Sequence, residues 1–150
     1  MVQEDMACPM TKGERILVAL DGSEYSDIIV DQAISMGRIC NSVIFAISVI
    51  EVFSGTLALA PDIEEQLSIE ARETLEKIKR KVEAENIECE TIVRIDGQAH
   101  RPIVEEAEKR GIDLIVMGTH GRTRLKNVLM GSVTQKVIGH APCAVMVVPV

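Results

Sequence analysis

Three glycines near the end of the chain stand at a spacing that suits phosphate. They fall in Met117-Gly118-Thr119-His120-Gly121 and, after nine further residues, in Gly131-Ser132-Val133-Thr134. Glycine lets backbone N–H groups close on an anion where a Cβ would intrude, and a helix N-terminus adds unpaired donors and partial positive charge. The chemistry predicted is the binding of a nucleotide through its phosphates.

Charge supports this reading. The chain has a formal net charge of -7, yet its last 37 residues contain no Asp or Glu and carry Arg122, Arg124, Lys126 and Lys136, while the first 113 residues carry -11. An acidic protein with a basic, glycine-rich tail suits a polyanionic ligand. Arg122, Arg124 and Lys126 would also serve as an ordinary solvated loop.

Several chemistries are excluded or left without support. No G-x-x-x-x-G-K-[ST] loop is present and no two glycines stand at i and i+2, so neither the common NTPase loop nor the dinucleotide fingerprint is found. Ser132 lies in no G-x-S-x-G elbow, which argues against a hydrolase nucleophile. His100, His120 and His140 are each twenty residues apart, a spacing that makes no local metal-ligand pair. Aromatic residues make up 2% of the chain, so stacking platforms for single-stranded nucleic acid are not expected, and the net negative charge argues against duplex DNA or an anionic membrane as partner.

The elements that must position these residues follow from periodicity. Ile16 to Leu20, Val43 to Ile50, Leu114 to Met117 and Cys143 to Val148 are nearly continuous apolar runs, as in parallel strands covered on both faces. Glu88 to Ile95 mixes polar and apolar residues, with Cys89, Val93 and Ile95 on one face, and suits an edge strand. Between these runs lie helical patterns. Tyr25, Ile29, Ala33 and Met36 follow Ser23 as N-cap, and Ile63, Leu67, Ala71, Leu75, Ile78 and Val82 form a long stripe after Pro61. Two further helices are predicted over about 98–110, stopped by Gly111, and about 130–140, stopped near Pro142. The alternation βαβαβαβαβ predicts a three-layer α/β sandwich with right-handed crossovers, its ligand site beyond the carboxyl ends of the strands. Asp21-Gly22-Ser23, Val49-Ile50 and Gly118 would then share one rim.

At 150 residues and 47% hydrophobic, the chain fits one domain, with residues 1–13 as a loose extension that has no apolar h-region. No apolar run approaches the length of a membrane span. Cys8, Cys40, Cys89 and Cys143 form no C-x-x-C pair, and Cys40, Cys89 and Cys143 lie in or beside apolar runs. The expectation is buried, reduced thiols and a cytoplasmic location.

The G-x2-G-x9-G-[ST] pattern resembles the universal stress protein family. So do the opening Ile16-Leu17-Val18-Ala19-Leu20-Asp21-Gly22-Ser23 and the closing Ala141-Pro142-Cys143-Ala144-Val145-Met146-Val147-Val148-Pro149. The likeness spans about Glu14 to Val150. It implies a five-stranded parallel sheet in the order 3-2-1-4-5, a cytoplasmic homodimer joined through Ala144 to Val150 and, because the glycines are retained, binding of ATP, or of AMP or ADP.

Carried onto this sequence, the resemblance implies that Gly118, Gly121 and Gly131 shape the phosphate loop. Ser132 and Val133 present N–H donors, with the Ser132 hydroxyl and Thr134 beside them. Asp21 takes the ribose hydroxyls or helps to hold a hydrated Mg²⁺ or Mn²⁺, and Ala19 and Val49 line the adenine pocket. Met117, Thr119 and His120 border the ribose and phosphates. Ser48 stands where a histidine is frequent. Each position has a plainer reading: Asp21-Gly22 is a turn signal, Ser132 a first-turn polar residue, His120 a loop histidine, and Val49 an ordinary strand valine. The functional expectation is a nucleotide-dependent regulatory dimer with slow or absent hydrolysis. The alternatives are a slow ATPase or nucleotidyl-transfer enzyme, and a scaffold with structural nucleotide.

Overall fold

The computed structural model describes residues 7–52, 61–121 and 129–150. The elements run β1 Arg15–Leu20, α1 Ser26–Cys40, β2 Val43–Glu51, α2 Pro61–Glu83, β3 Cys89–Asp96, α3 His100–Lys109, β4 Leu114–Gly118, α4 Ser132–His140 and β5 Ala144–Val148. All strand pairs are parallel, as the periodicity predicts, and their order is β3-β2-β1-β4-β5, as the family resemblance implies. Register is fixed by the central strand: Ile16 stands opposite Ile44 on one side and Leu114 on the other.

The period-2 alternation of β1 divides the core. Ile16, Val18 and Leu20 face α1 and α2, packing with Ile29, Val30, Leu75 and Val82; Leu17 faces α3 and α4, packing with Ile47, Ile103, Ile115 and Val137. Both faces are dry because each carries helices, which is why the run reads as continuously apolar. Strand β3 forms one edge, and its Ile95 remains 39% exposed.

A buried carboxylate locks α3 onto this second face. Glu106 is 4% exposed and accepts hydrogen bonds at 2.7 Å from Arg94 Nη1 and at 2.7 Å from Arg110 Nε. Burial alone would raise its pKa, but the two guanidinium hydrogen bonds outweigh that and hold it low. Arg110 also lies over the Phe45 ring at 5.2 Å. The start of α3 is thereby held where it can border the rim.

Two expectations are corrected. Helix α1 begins at Ser26 with Tyr25 at its cap, because the Ser23 amide instead donates to Asp21 Oδ1 at 2.9 Å in an Asx turn, with Gly22 at φ 75°. Ser23 is therefore part of the turn and not the helix cap. Cys40 is not a reduced thiol: it forms a disulfide with Cys8 across 32 residues, so residues 8–13 are tied to the end of α1 and the cysteine argument for a reducing compartment falls. The apolar neighbours of Cys40 are the wrong cue, because its pairing partner Cys8 lies outside any apolar run. Cys89 and Cys143 are free. No helix among the described residues is long and apolar enough to cross a membrane.

Candidate functional site

At the carboxyl ends of the strands a cavity of about 680 Å³ opens where β1 and β4 send their chains to opposite faces of the sheet. This is the switch point at which open α/β sheets bind ligands, and the volume falls within the range of small-molecule sites. The ends of β1 and β2 supply Ala19, Asp21, Ser48 and Val49 to its wall. The glycine loop supplies Met117, Gly118, His120 and Gly121, and the start of α4 supplies Gly131, Ser132, Val133 and Thr134.

The loop is built against the C-terminal strand. The Thr119 amide donates to Val148 O at 3.0 Å, the Val150 amide to Thr119 Oγ1 at 3.2 Å, and the Gly131 amide to Thr119 O at 2.7 Å. Thr119 thus borders the cavity without lining it; its hydroxyl is used to hold the chain end. Thr134 is 3% exposed, and its hydroxyl donates to Gly118 O at 2.8 Å, which fixes α4 to the end of β4.

A Cβ would be tight against side chains at Gly118 and Gly121, with different neighbours at each. A Cβ on Gly118 would lie 3.0 Å from Ile29 Cδ1 and 3.2 Å from Val150 Cγ2; one on Gly121 would lie 3.0 Å from Asp21 Oδ2. Gly131 caps α4 with extended backbone and no side-chain hydrogen bond. The first-turn N–H groups of Ser132, Val133 and Thr134 lack intrahelical acceptors, so they and the helix dipole can meet an anion there.

Opposite this cradle stands an unsatisfied acceptor. Asp21 Oδ1 is used by the Ser23 amide, while Asp21 Oδ2 is buried and has no hydrogen-bond partner. A buried, unpaired carboxylate oxygen is costly unless a ligand, an ion or water satisfies it. His120 joins the same wall, with Nδ1 3.1 Å from Thr119 Oγ1.

Sequence reasoning missed the far wall. Leu67, Glu70, Ala71 and Thr74 of α2, together with Ala99 and Ile103 at the start of α3, also line the cavity. The apolar members belonged to the α2 stripe, but periodicity cannot separate core-facing from cavity-facing positions. Arg122, Arg124 and Lys126, and most of the segment between Glu51 and Pro61, lie outside the described residues. Sequence spacing also gave no reason to pair histidines, yet His100 and His140 come together, ring centroids 5.8 Å apart, and neither lines the cavity. No cluster of three or more metal-ligating side chains occurs among the described residues.

With this geometry in hand, the comparisons are consistent. The model of the universal stress protein family matches residues 13–149. Universal stress protein MJ0531 of Methanocaldococcus jannaschii is 36% identical over 140 residues, covering 90% of this chain and 81% of that protein. The solved structure of MJ0577 from the same organism superposes with a TM-score of 0.83 at 29% identity, covering 92% of this chain and 96% of that one. Two more distant structures share the fold and were solved with adenine nucleotides. One is an Archaeoglobus fulgidus universal stress protein with dAMP (TM-score 0.66, 21% identity, 89% and 96% covered), the other a universal stress protein with cAMP (0.62, 21%, 93% and 98%).

Proposed function

Because the chain belongs to the universal stress protein family, we propose that it binds an adenine nucleotide, ATP in particular, and acts as a nucleotide-dependent regulatory protein. The observation that carries this reading is Asp21 Oδ2, buried and unpartnered among the described residues, close against Gly121 in the wall of a cavity that also receives the uncapped start of α4. The α4 amides and the loop N–H groups would take the phosphates. The apolar ends of β1 and β2, Ala19 and Val49, would take the base, and Met117 and His120 the region between. The dAMP and cAMP bound by two structural relatives support an adenine ligand.

The residues present also fit a hydrated Mg²⁺ or Mn²⁺ ion. Asp21 Oδ2 is a hard oxygen donor without a hydrogen-bond partner among the described residues, and such an ion, when bound, would neutralise phosphate charge. The protein's own part is to keep that oxygen desolvated and aimed by committing its twin to the Ser23 amide.

A regulatory output follows from Thr119. One residue carries the loop's hydrogen bonds to both Val148 and Val150, so a ligand that tightens residues 118–121 also tightens the end of β5. Strand β5 is an edge whose Ala144 is exposed and whose Val145, Met146 and Val147 are half-buried. A second copy pairing along this edge would cover it, and Pro149 would limit the length of the ladder. The reading is therefore of a homodimer whose contact strand senses the nucleotide.

Three measurements test it. Nucleotide released from denatured, freshly purified protein should be an adenine nucleotide. Titration with Mg-ATP should show saturable binding that Gly121→Val removes while its circular dichroism stays native; unchanged affinity in that variant would sink the site assignment. Gly121 is the better position for this than Gly118, where a larger side chain also collides with Ile29 and Val150 of the core. Incubation with excess ATP over hours separates a switch, which gives at most slow turnover, from an ATPase or nucleotidyl-transfer enzyme.

A further inference from the structure

The far end of the sheet, where the strands begin, carries a second chemically active feature. We propose that the Cys8–Cys40 disulfide is a thiol–disulfide exchange site, a clasp whose opening by a dithiol reductant frees the segment before β1 from the end of α1. The Cα atoms of the pair are 4.7 Å apart, and the bond encloses β1 and α1.

The surroundings are shaped around the two sulfurs. A Cβ on Gly13 would lie 2.9 Å from Cys8 Sγ and 2.9 Å from Cys40 Cβ, so the backbone runs directly against the bridge and only glycine fits there. Asn41, in left-handed conformation, ends α1 beside Cys40, and the Ser42 amide and hydroxyl donate to Gly37 O and Gly13 O. Both cysteines are only half-buried, and Ala7, Pro9, Thr11 and Lys12 around Cys8 are exposed. An attacking thiolate can therefore reach the bridge without unfolding the core.

Little else holds the clasped segment. Met10 packs on the α1/α2 cluster, and Gly13 O accepts the Ser42 hydroxyl; residues 7–12 belong to no helix or strand. A segment tied by one covalent bond and few contacts opens locally once that bond is cut, while the sheet keeps its ladder. The other two thiols do not compete. Burial pushes Cys89 up to about 11 and raises Cys143, so neither is a ready thiolate near neutral pH.

One thiolate of the reductant attacks a sulfur of the bridge and forms a mixed disulfide, expelling the other cysteine as thiolate. The reductant's second thiol then displaces the remaining protein sulfur. Two electrons and two protons pass to the protein, which leaves with two thiols, and the dithiol leaves as its own disulfide. A disulfide oxidant of the same class reverses the sequence. The clasp stands roughly 20 Å along β1 from Asp21, so this input acts on the opposite end of the molecule from the cavity.

The test equilibrates the full-length protein in mixtures of reduced and oxidised dithiothreitol, quenches with acid, alkylates and maps each cysteine by peptide mass spectrometry. Cys8 and Cys40 should pass together through one two-electron transition while Cys89 stays unlabelled until the protein is denatured. Trypsin cleavage after Lys12 should speed up several-fold in the reduced form and equally in Cys8→Ser under oxidising conditions. Two results overturn the proposal: alkylation of Cys8 and Cys40 at every ratio, which means that no bridge forms, or a bridge that opens only in denaturant, which makes it a fixed staple. The redox titration of the unaltered chain decides this even if Cys8→Ser folds poorly.

Discussion

The two ends of the parallel sheet are finished in opposite ways. At the carboxyl ends the chain leaves donors and acceptors unpaired around open volume: Asp21 Oδ2 has no partner and α4 has no side-chain cap. At the amino ends it pairs the groups it brings together. Cys8 is bonded to Cys40, the Ser42 hydroxyl meets Gly13 O, and the Arg15 amide donates to Asp113 Oδ2 at 3.0 Å. Unsatisfied groups cost stability, so a bare carboxylate oxygen at the cavity wall is a place for a ligand, an ion or water to act. The sealed end holds the fold together and the open end is available for function.

Changes at each end should therefore read out differently. The largest effect on stability belongs to the sealed end. Cys40→Ser removes a loop closure spanning 32 residues and should cost about 3–4 kcal/mol, lowering the melting temperature by roughly 10 °C, with the same gap between oxidised and reduced wild type. Mg-ATP affinity in that variant should stay within about twofold; a large loss would show that the ends are coupled. Asp21→Ala is the counterpart at the open end. It should weaken Mg-ATP about 100-fold in titration calorimetry, equivalent to about 2.7 kcal/mol, with a far smaller change in metal-free titrations. Its melting temperature should fall only slightly, since the one bond lost from the structure is that to the Ser23 amide.

Thr134 sharpens the comparison because it belongs to both categories. It lines the cavity, yet its hydroxyl is committed to Gly118 O. Thr134→Val leaves that carbonyl without its partner and should cost about 1–3 kcal/mol in denaturant unfolding, with weaker binding as a secondary effect.

The smallest effect lies between the ends, where His100 meets His140. Burial, then Lys136, His140 and Arg101, lower the His100 pKa below 6.5, with only Asp96 opposing. A lowered histidine favours the neutral form in the folded state, so the unfolded chain binds more protons as pH drops. Stability from this group is therefore present above pH 6.5 and is lost as pH falls from there through the folded-state pKa. The melting temperature of wild type should decline more steeply between about pH 7 and pH 5 than that of His100→Gln, and parallel curves would remove His100 from the account.

Much of the open end was legible in the chain because its signals are local. Gly118, Gly121 and Gly131 announce a backbone that must come close to something, and the apolar runs feeding them announce buried parallel strands, which together place the loop at a switch point. The sealed end was misread for the converse reason. A disulfide depends on two side chains meeting in space, and Cys8, in a polar segment before any element, offers no periodicity from which that meeting could be inferred. The Glu106 lock escaped notice in the same way. Its partners Arg94 and Arg110 lie 12 and 4 residues away on different elements, and a carboxylate in an amphipathic helix reads as solvated until the neighbouring strand is in place.

The sequence by itself determined the element order, the parallel sheet and the glycines that come together at the cavity wall, because periodicity and glycine spacing act over a few residues of chain. Only the tertiary structure decided which polar atoms have partners. Asp21 Oδ2 is left bare, the Thr119 and Thr134 hydroxyls are tied to backbone, Cys8 reaches Cys40, and His100 reaches His140 across forty residues. Satisfaction of a polar group depends on distance and direction in three dimensions, and neither is written in the spacing along the chain.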